Sequence, residues 1–197
     1  MKKNQIEIQT MSLAIIIGPM FSSKSTYIMH KLVQYSHRGE KVCYVNHASD
    51  QKRKQKVPGF STHNVLLQPK MGELDIDFLQ MGDTLCLDTL LNYDVIGIDE
   101  GQFYDTSLLV VVPMLALCGK KVFVCGLDGN GNQKPINHLV SLIPHANKVK
   151  KLHAICKCGQ NASFTIKHTE SEETIGGAEL YASVCRKCLD EFYENKQ

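Results

Sequence analysis

The sequence predicts an α/β fold: a parallel sheet flanked by helices on both faces, followed by a small cysteine-bearing unit. Three observations carry this expectation. Short, continuous apolar runs at 13–17, 93–98 and 121–127 have the composition of strands buried on both faces. Segments of helical periodicity alternate with them, as crossover connections between parallel strands require. Beyond about residue 150 the apolar runs give way to two close cysteine pairs, a Gly-Gly and short polar segments.

Taken in order, residues 1–11 (MKKNQIEIQTM) read as a polar tail. The run at 13–17 is the first strand, and a loop containing Gly18 follows it. Residues 26–37 carry Ile28, Leu32 and Tyr35 at helical spacing. A second strand is expected at 41–45, then a turn-rich loop over 47–63. Its basic run, Lys52-Arg53-Lys54-Gln55-Lys56, is most simply a solvated stretch. The strand at 93–98 ends in Asp99-Glu100, a helix is expected at 108–117, and a further strand at 121–127. The organisation expected is a tail over 1–11, a main domain over 12–150 and a metal-stapled unit over 151–197.

Bulk properties narrow the function. At 197 residues, 43% hydrophobic and 21% charged, the chain has ordinary globular usage for one domain with an appendage. A formal charge of +2 is too small to argue for nucleic acid or an anionic membrane, and neither is expected as a partner. No apolar stretch approaches the ~20 residues of a spanning helix. Lys2-Lys3 ahead of the apolar 11–21 segment imitates a leader, but polar residues separate the two and Lys24 follows at once. A cytoplasmic location is therefore expected. Of eight cysteines, Cys43, Cys86, Cys118 and Cys125 lie scattered in apolar surroundings, whereas the other four are paired.

Two stretches carry phosphate chemistry. GPMFSSKST, from Gly18 to Thr26, fits the phosphate-loop pattern G-x-x-x-x-G-K-[ST], with Ser23 in place of the second glycine. Such a loop turns backbone N–H groups toward an anion, extends a lysine to the terminal phosphates and offers a hydroxyl to Mg²⁺. Gly18, Lys24 and Ser25 supply those parts between a strand and a helix. Ser23 places a Cβ where the chain approaches phosphate closely or wants glycine-like dihedrals, at a cost of roughly 1–2 kcal/mol. Asp99 and Glu100, at the end of a second buried strand, offer a carboxylate for the metal and a proton acceptor. A carboxylate pair at a strand end is common by itself; two phosphate-site halves at strand ends are not.

The cysteine pairs suggest a metal. Cys185-Arg-Lys-Cys188 has the spacing that lets one turn present two thiolates to zinc. Cys156-Lys-Cys158 is one residue short: extended residues i and i+2 lie about 6.6 Å apart, whereas thiolates on one zinc sit about 3.8 Å apart. A turn at Lys157, aided by Gly159, is thus expected. Four cysteine ligands are expected, with His153 as the alternative to Cys158.

Together these pieces resemble the type II thymidine kinases. The resemblance rests on GPMFSSKST, on IDEGQF at 98–103, on CGLDG at 125–129 followed by Lys134-Pro135, and on IGGAELYASVCRKC at 175–188. It runs in order over roughly 12–190. It implies a P-loop NTPase-like domain and a zinc-binding ribbon with a lasso loop over the nucleoside. By that likeness Gly18, Pro19, Met20, Phe21, Ser22, Ser23, Lys24 and Ser25 wrap the phosphates of ATP, with Asp99 supporting Mg²⁺. Glu100 becomes the base for the 5′-hydroxyl of thymidine. Phe103 and Gly131 flank the base, Glu172, Glu173, Thr174, Ile175 and Gly176 supply the lasso, and Tyr181 reaches the nucleoside. Structural zinc, deoxyuridine as a second acceptor, dTTP as a feedback inhibitor and a homotetramer follow from the same resemblance. Departures are Ser23, Gly131 and Ile136 where the family has aromatics, and Asp50-Gln51-Lys52 with Arg53 one place late. They motivate the alternative of a non-catalytic nucleotide-binding paralogue. A zinc-ribbon nucleic-acid ATPase would want a basic stripe with interleaved aromatics, and the low net charge with only seven Phe, seven Tyr and no Trp argues against it.

Overall fold

The computed structural model describes residues 12–49, 75–169 and 176–195. Ten strands and four α-helices occur among them. The main sheet contains β1 (Leu13–Gly18), β2 (Val42–His47), β3 (Asp77–Met81), β4 (Val95–Ile98), β5 (Lys121–Leu127) and β6 (Lys148–Lys151). Their order is β3-β2-β4-β5-β1-β6, and every pairing is parallel. The helices are α1 (Lys24–Ser36), the short α2 (Leu87–Leu90), α3 (Ser107–Leu117) and α4 (Arg186–Glu194).

The apolar runs split by parity, because successive strand side chains point to opposite faces. Leu13, Ile15, Cys43, Val45, Ile96, Ile98, Val122 and Val124 pack with Leu108, Val112 and Leu115 of α3. Ala14, Ile16, Val42, Tyr44, Val95, Phe123 and Cys125 pack with Ile28, Met29 and Leu32 of α1. Both faces of the sheet are thus covered, which is why its strands read as unbroken apolar runs. Helix α3 is apolar on every side, and its Val110, Met114 and Leu117 stay exposed.

Strands β1, β4 and β5 and the helices α1 and α3 fall where the sequence reading puts them, within a residue or two. His47, read as loop, closes β2 instead. The strands β3 and β6, the helix α2 and the 3₁₀ turns at Gly101–Phe103 and Val140–His145 were not anticipated. The tail 1–11, the basic run at 52–56 and Asp50, Gln51, Lys52 and Arg53 lie outside the described residues.

The C-terminal part is built from two small antiparallel pairs, β7 (Ala154–Ile155) with β8 (Asn161–Ala162), and β9 (Phe164–Lys167) with β10 (Tyr181–Val184). Its own cluster of Ala154, Ala162, Ile166, Val184 and Leu189 also receives Phe21 from the first loop of the main domain.

Candidate functional site

Strands β4, β5 and β1 are neighbours running the same way, so their C-terminal ends open on one edge of the sheet. The loop after β1 begins at Gly18, with φ 154°, where a Cβ would stand 2.5 Å from the Leu152 carbonyl oxygen. No larger residue fits there. The loop tightens through Phe21 at φ 61° and Ser23 at φ 60°, ψ 32°, and α1 starts at the next residue. Ser23 therefore holds the left-handed conformation that a glycine would enter freely. The Ser22 hydroxyl donates to the Pro19 carbonyl at 2.8 Å, and the Lys24 ammonium donates to the same oxygen at 2.7 Å. Lys24 thus curls over the loop, with the N-terminus of α1 beneath it.

Asp99 follows β4 and is buried. Its Oδ1 accepts from the Glu100 N–H at 2.8 Å and from the Cys125 thiol at 2.7 Å, and its Oδ2 accepts from the Tyr44 hydroxyl. Burial pushes its carboxyl up and Glu100 adds to the effect, while Cys125, Ser25 and Tyr44 pull the other way through their side chains. The Ser25 interaction ties the helix start to the end of β4. Glu100 takes φ 50°, ψ 41°, another left-handed residue at the site after Phe21 and Ser23. Its Oε2 accepts from Gln102 Nε2 at 2.6 Å, and Gln102 Oε1 in turn accepts from the Leu127 N–H at 3.0 Å. A Cβ on Gly126 would meet that amide oxygen at 2.2 Å, so the glycine makes room for Gln102.

The C-terminal unit grips the loop at one residue, Met20. The Met20 N–H donates to the Thr165 hydroxyl at 3.0 Å, and the Met20 carbonyl accepts from the Ser183 hydroxyl at 2.5 Å. Between the two parts lies a cleft of about 1020 Å³. Met20, Phe21, Ser22, Ser23, Lys24, Ser25, Asp99, Glu100, Phe103, Gly131, Gly176 and Tyr181 all line it. Gly18 and Pro19 shape the loop without lining the cleft. Glu172, Glu173, Thr174 and Ile175 lie outside the described residues. Gln102, Asn130, Asn137, Thr165 and Lys167 also line the cleft and were not singled out from sequence. Gln102 stands inside the IDEGQF motif; Thr165 and Lys167 carry no local signal. Gly131 packs on β9, where a Cβ would come within 3.0 Å of the Lys167 main chain. The following turn is held by Gln133 Nε2, which donates to the Thr165 carbonyl at 2.8 Å.

The four paired cysteines converge. The sulfur atoms of Cys156, Cys158, Cys185 and Cys188 all lie within 4.8 Å of one another, and no disulfide joins them. Cys158 and Cys185 are 3.6 Å apart, close to the ~3.8 Å edge of a zinc–thiolate tetrahedron. The chain turns where the short spacing requires it: Gly159, at φ 86°, donates its N–H to the Cys156 carbonyl at 2.8 Å. Burial opposes ionisation of the Cys156 thiol. Hydrogen bonds from the Cys158 and Cys185 backbone and from the Cys158 and Cys188 thiols outweigh it and bring the thiol down to about 6. His153 is not part of this group; its Nδ1 pairs with the Ser163 hydroxyl at 2.9 Å. Four thiols converging at this spacing suit a structural zinc ion.

The thymidine kinase family profile matches residues 11–189. A thymidine kinase of Amsacta moorei entomopoxvirus is 36% identical over 190 residues, spanning 93% of this chain and 100% of that protein. The thymidine kinase of Monkeypox virus is also 36% identical, over 89% of this chain and 95% of its own length. That of Sheeppox virus is 34% identical over 88% and 94%.

Proposed function

Because the chain belongs to the thymidine kinase family, we propose that its cleft joins ATP to thymidine through Lys24, Ser25, Asp99 and Glu100. The chain is an ATP-dependent nucleoside kinase, a phosphotransferase acting on thymidine, and the reading as a non-catalytic paralogue is not favoured. The observation that carries the residue assignment is the convergence of Lys24, Ser25, Asp99 and Glu100 on one cleft from two different strand ends.

In this assignment the loop N–H groups and the α1 N-terminus hold the phosphates, and Lys24 swings from the Pro19 carbonyl onto them. Magnesium, when bound, neutralises phosphate charge; the Ser25 hydroxyl and the Asp99 carboxyl are the hard oxygen donors that suit it. Glu100 accepts the proton of the 5′-hydroxyl as that oxygen attacks the γ-phosphorus, and the bond to the ADP oxygen breaks. Gln102 holds the Glu100 carboxylate through Oε2, and Glu100 lines the cleft. Phe103, Gly176 and Tyr181 lie on the nucleoside side of the cleft. Burial raises the Tyr181 phenol, keeping it a neutral donor. Zinc on Cys156, Cys158, Cys185 and Cys188 fixes the unit that carries Tyr181. The family resemblance supports extending the reading to deoxyuridine as acceptor, dTTP as inhibitor, a homotetramer and a cytoplasmic location.

Glu100→Gln tests the base. It keeps the shape and the Gln102 contact but cannot take the proton. Turnover is expected to fall by about 10²–10⁴-fold, toward the lower end because phosphoryl transfer leans on positioning and electrostatics. Binding of thymidine, measured directly, is expected to change little. A variant retaining most of the wild-type turnover removes Glu100 from the role.

A further inference from the structure

Tyr44 and Cys125 have no place in the assignment above, yet both are fully buried and both reach the same carboxylate. Strands β2 and β5 are the two neighbours of β4 in the sheet. Asp99 sits just past the end of β4, and its carboxylate is gripped from both sides. From β2 the Tyr44 hydroxyl donates to Oδ2, and from β5 the Cys125 thiol donates to Oδ1 at 2.7 Å. The Glu100 N–H adds a second donor to Oδ1 at 2.8 Å. Donors on both oxygens fix the plane of the carboxylate and favour its charged form. Ser25 interacts with the same carboxyl, so the clamp sets where Asp99 meets the start of α1.

A buried carboxylate needs partners for stability alone. The arrangement here goes further. Tyr44 and Cys125 sit among the apolar residues facing α1, in positions where a packing role needs no polar atom. The Tyr44 ring is itself pinned, its centroid 5.8 Å from that of Phe78 on β3. A polar atom at the tip of a pinned, fully buried ring can point in few directions, and it points at Asp99.

We propose that Tyr44 and Cys125 are positioning residues for the reaction: they orient the Asp99 carboxylate toward Ser25 and thereby toward the cation that accompanies ATP. The inference rests on the assignment of Asp99 to the metal. Tyr44 is the stronger of the two, because a phenol is a better donor than a thiol.

The test uses the full chain with Mn²⁺·ATP as a paramagnetic probe, its binding read by electron paramagnetic resonance, alongside kcat, thymidine KM and melting temperature. Tyr44→Phe keeps the ring and removes the hydroxyl. It is expected to weaken Mn²⁺·ATP binding by about tenfold and to lower kcat similarly, the scale of a lost hydrogen bond to a charged group. Thymidine KM is expected to stay within about twofold, since no nucleoside contact is touched. Cys125→Ala is expected to give a loss of about threefold in Mn²⁺·ATP binding. Cys125→Ser keeps a donor at that place and is expected to recover most of it. Asp99→Asn separates the two levels of the argument. If it binds Mn²⁺·ATP as the wild type does, the metal assignment of Asp99 falls and the proposal falls with it. If Asp99→Asn is impaired while Tyr44→Phe and Cys125→Ala bind normally, Asp99 stands and the proposal alone is overturned. Should Tyr44→Phe fail to fold, the Ala and Ser variants at Cys125 decide: equal binding by both overturns the proposal.

Discussion

Ser23 bends the chain at φ 60° without the freedom of a glycine, and this strain of roughly 1–2 kcal/mol sits in the turn proposed to hold phosphate. A residue there that enters the left-handed region freely relaxes the loop in its phosphate-holding shape. Ser23→Gly is therefore expected to tighten ATP binding by up to about tenfold, equivalent to ~1.4 kcal/mol. Isothermal titration with ATP and Mg²⁺ measures it; weaker binding by the glycine variant would show that the Ser23 side chain contributes more than its strain removes. This strain was legible in the sequence because the pattern around it is strict and local. Lys24, Asp99 and Glu100 were legible for the same reason, each lying inside a short motif. Tyr44, Cys125, Thr165 and Ser183 were not. Thr165 and Ser183 meet Met20 across separations of 145 and 163 residues. Tyr44 and Cys125 look like ordinary members of apolar strands until β2, β4 and β5 are set side by side.

At the scale of elements, legibility followed burial. Strands β1 and β5 are covered on both faces and announce themselves as apolar runs. Strand β6 (KVKK) is exposed at every residue, and β3 (DFLQM) alternates weakly. Both are edge strands, where charged residues are favoured because they discourage pairing with other chains. Their sequences therefore hide the element that the sheet makes of them. Helix α3 is entered through a device that sequence showed only as polar residues. Asp105 Oδ1 accepts from the Ser107 N–H at 2.8 Å, and Oδ2 accepts from the Thr84 hydroxyl at 2.7 Å. The Ser107 hydroxyl foremost, then the Thr84 hydroxyl and the Ser107 N–H, hold the Asp105 carboxyl below its usual range. A depressed folded-state value means the stabilisation is present above the unfolded value of about 3.9 and is lost as pH falls through the folded one. Asp105→Asn is accordingly expected to melt at a lower temperature than the wild type at pH 7. The gap is expected to close as the pH is lowered past that range. Melting curves at a series of pH values check it, and a gap that persists unchanged into strong acid would mean the carboxylate charge plays no part.

On the scale of the whole molecule, the hydroxyls of Thr165 and Ser183 hold both main-chain polar groups of Met20. The loop after β1 therefore leans on the unit in which the four sulfur atoms converge. Two ligands that never touch then share one free energy. If zinc improves the affinity for ATP by some factor, ATP must improve the affinity for zinc by the same factor, since both paths around the cycle end in the same state. The factor is expected to be about tenfold, within the ~1–3 kcal/mol usual for communicating sites. It is measured once as the ratio of ATP dissociation constants with and without zinc, and again as the shift in a chelator competition when ATP is added. Ser183→Ala, with zinc in place, is expected to reduce both ratios together. Equal ATP affinity in the zinc-bound and zinc-stripped protein would show that the contact at Met20 transmits nothing. Otherwise a cell poor in zinc would see this enzyme lose its grip on ATP before it lost its fold, and a cell rich in ATP would make the metal harder to remove.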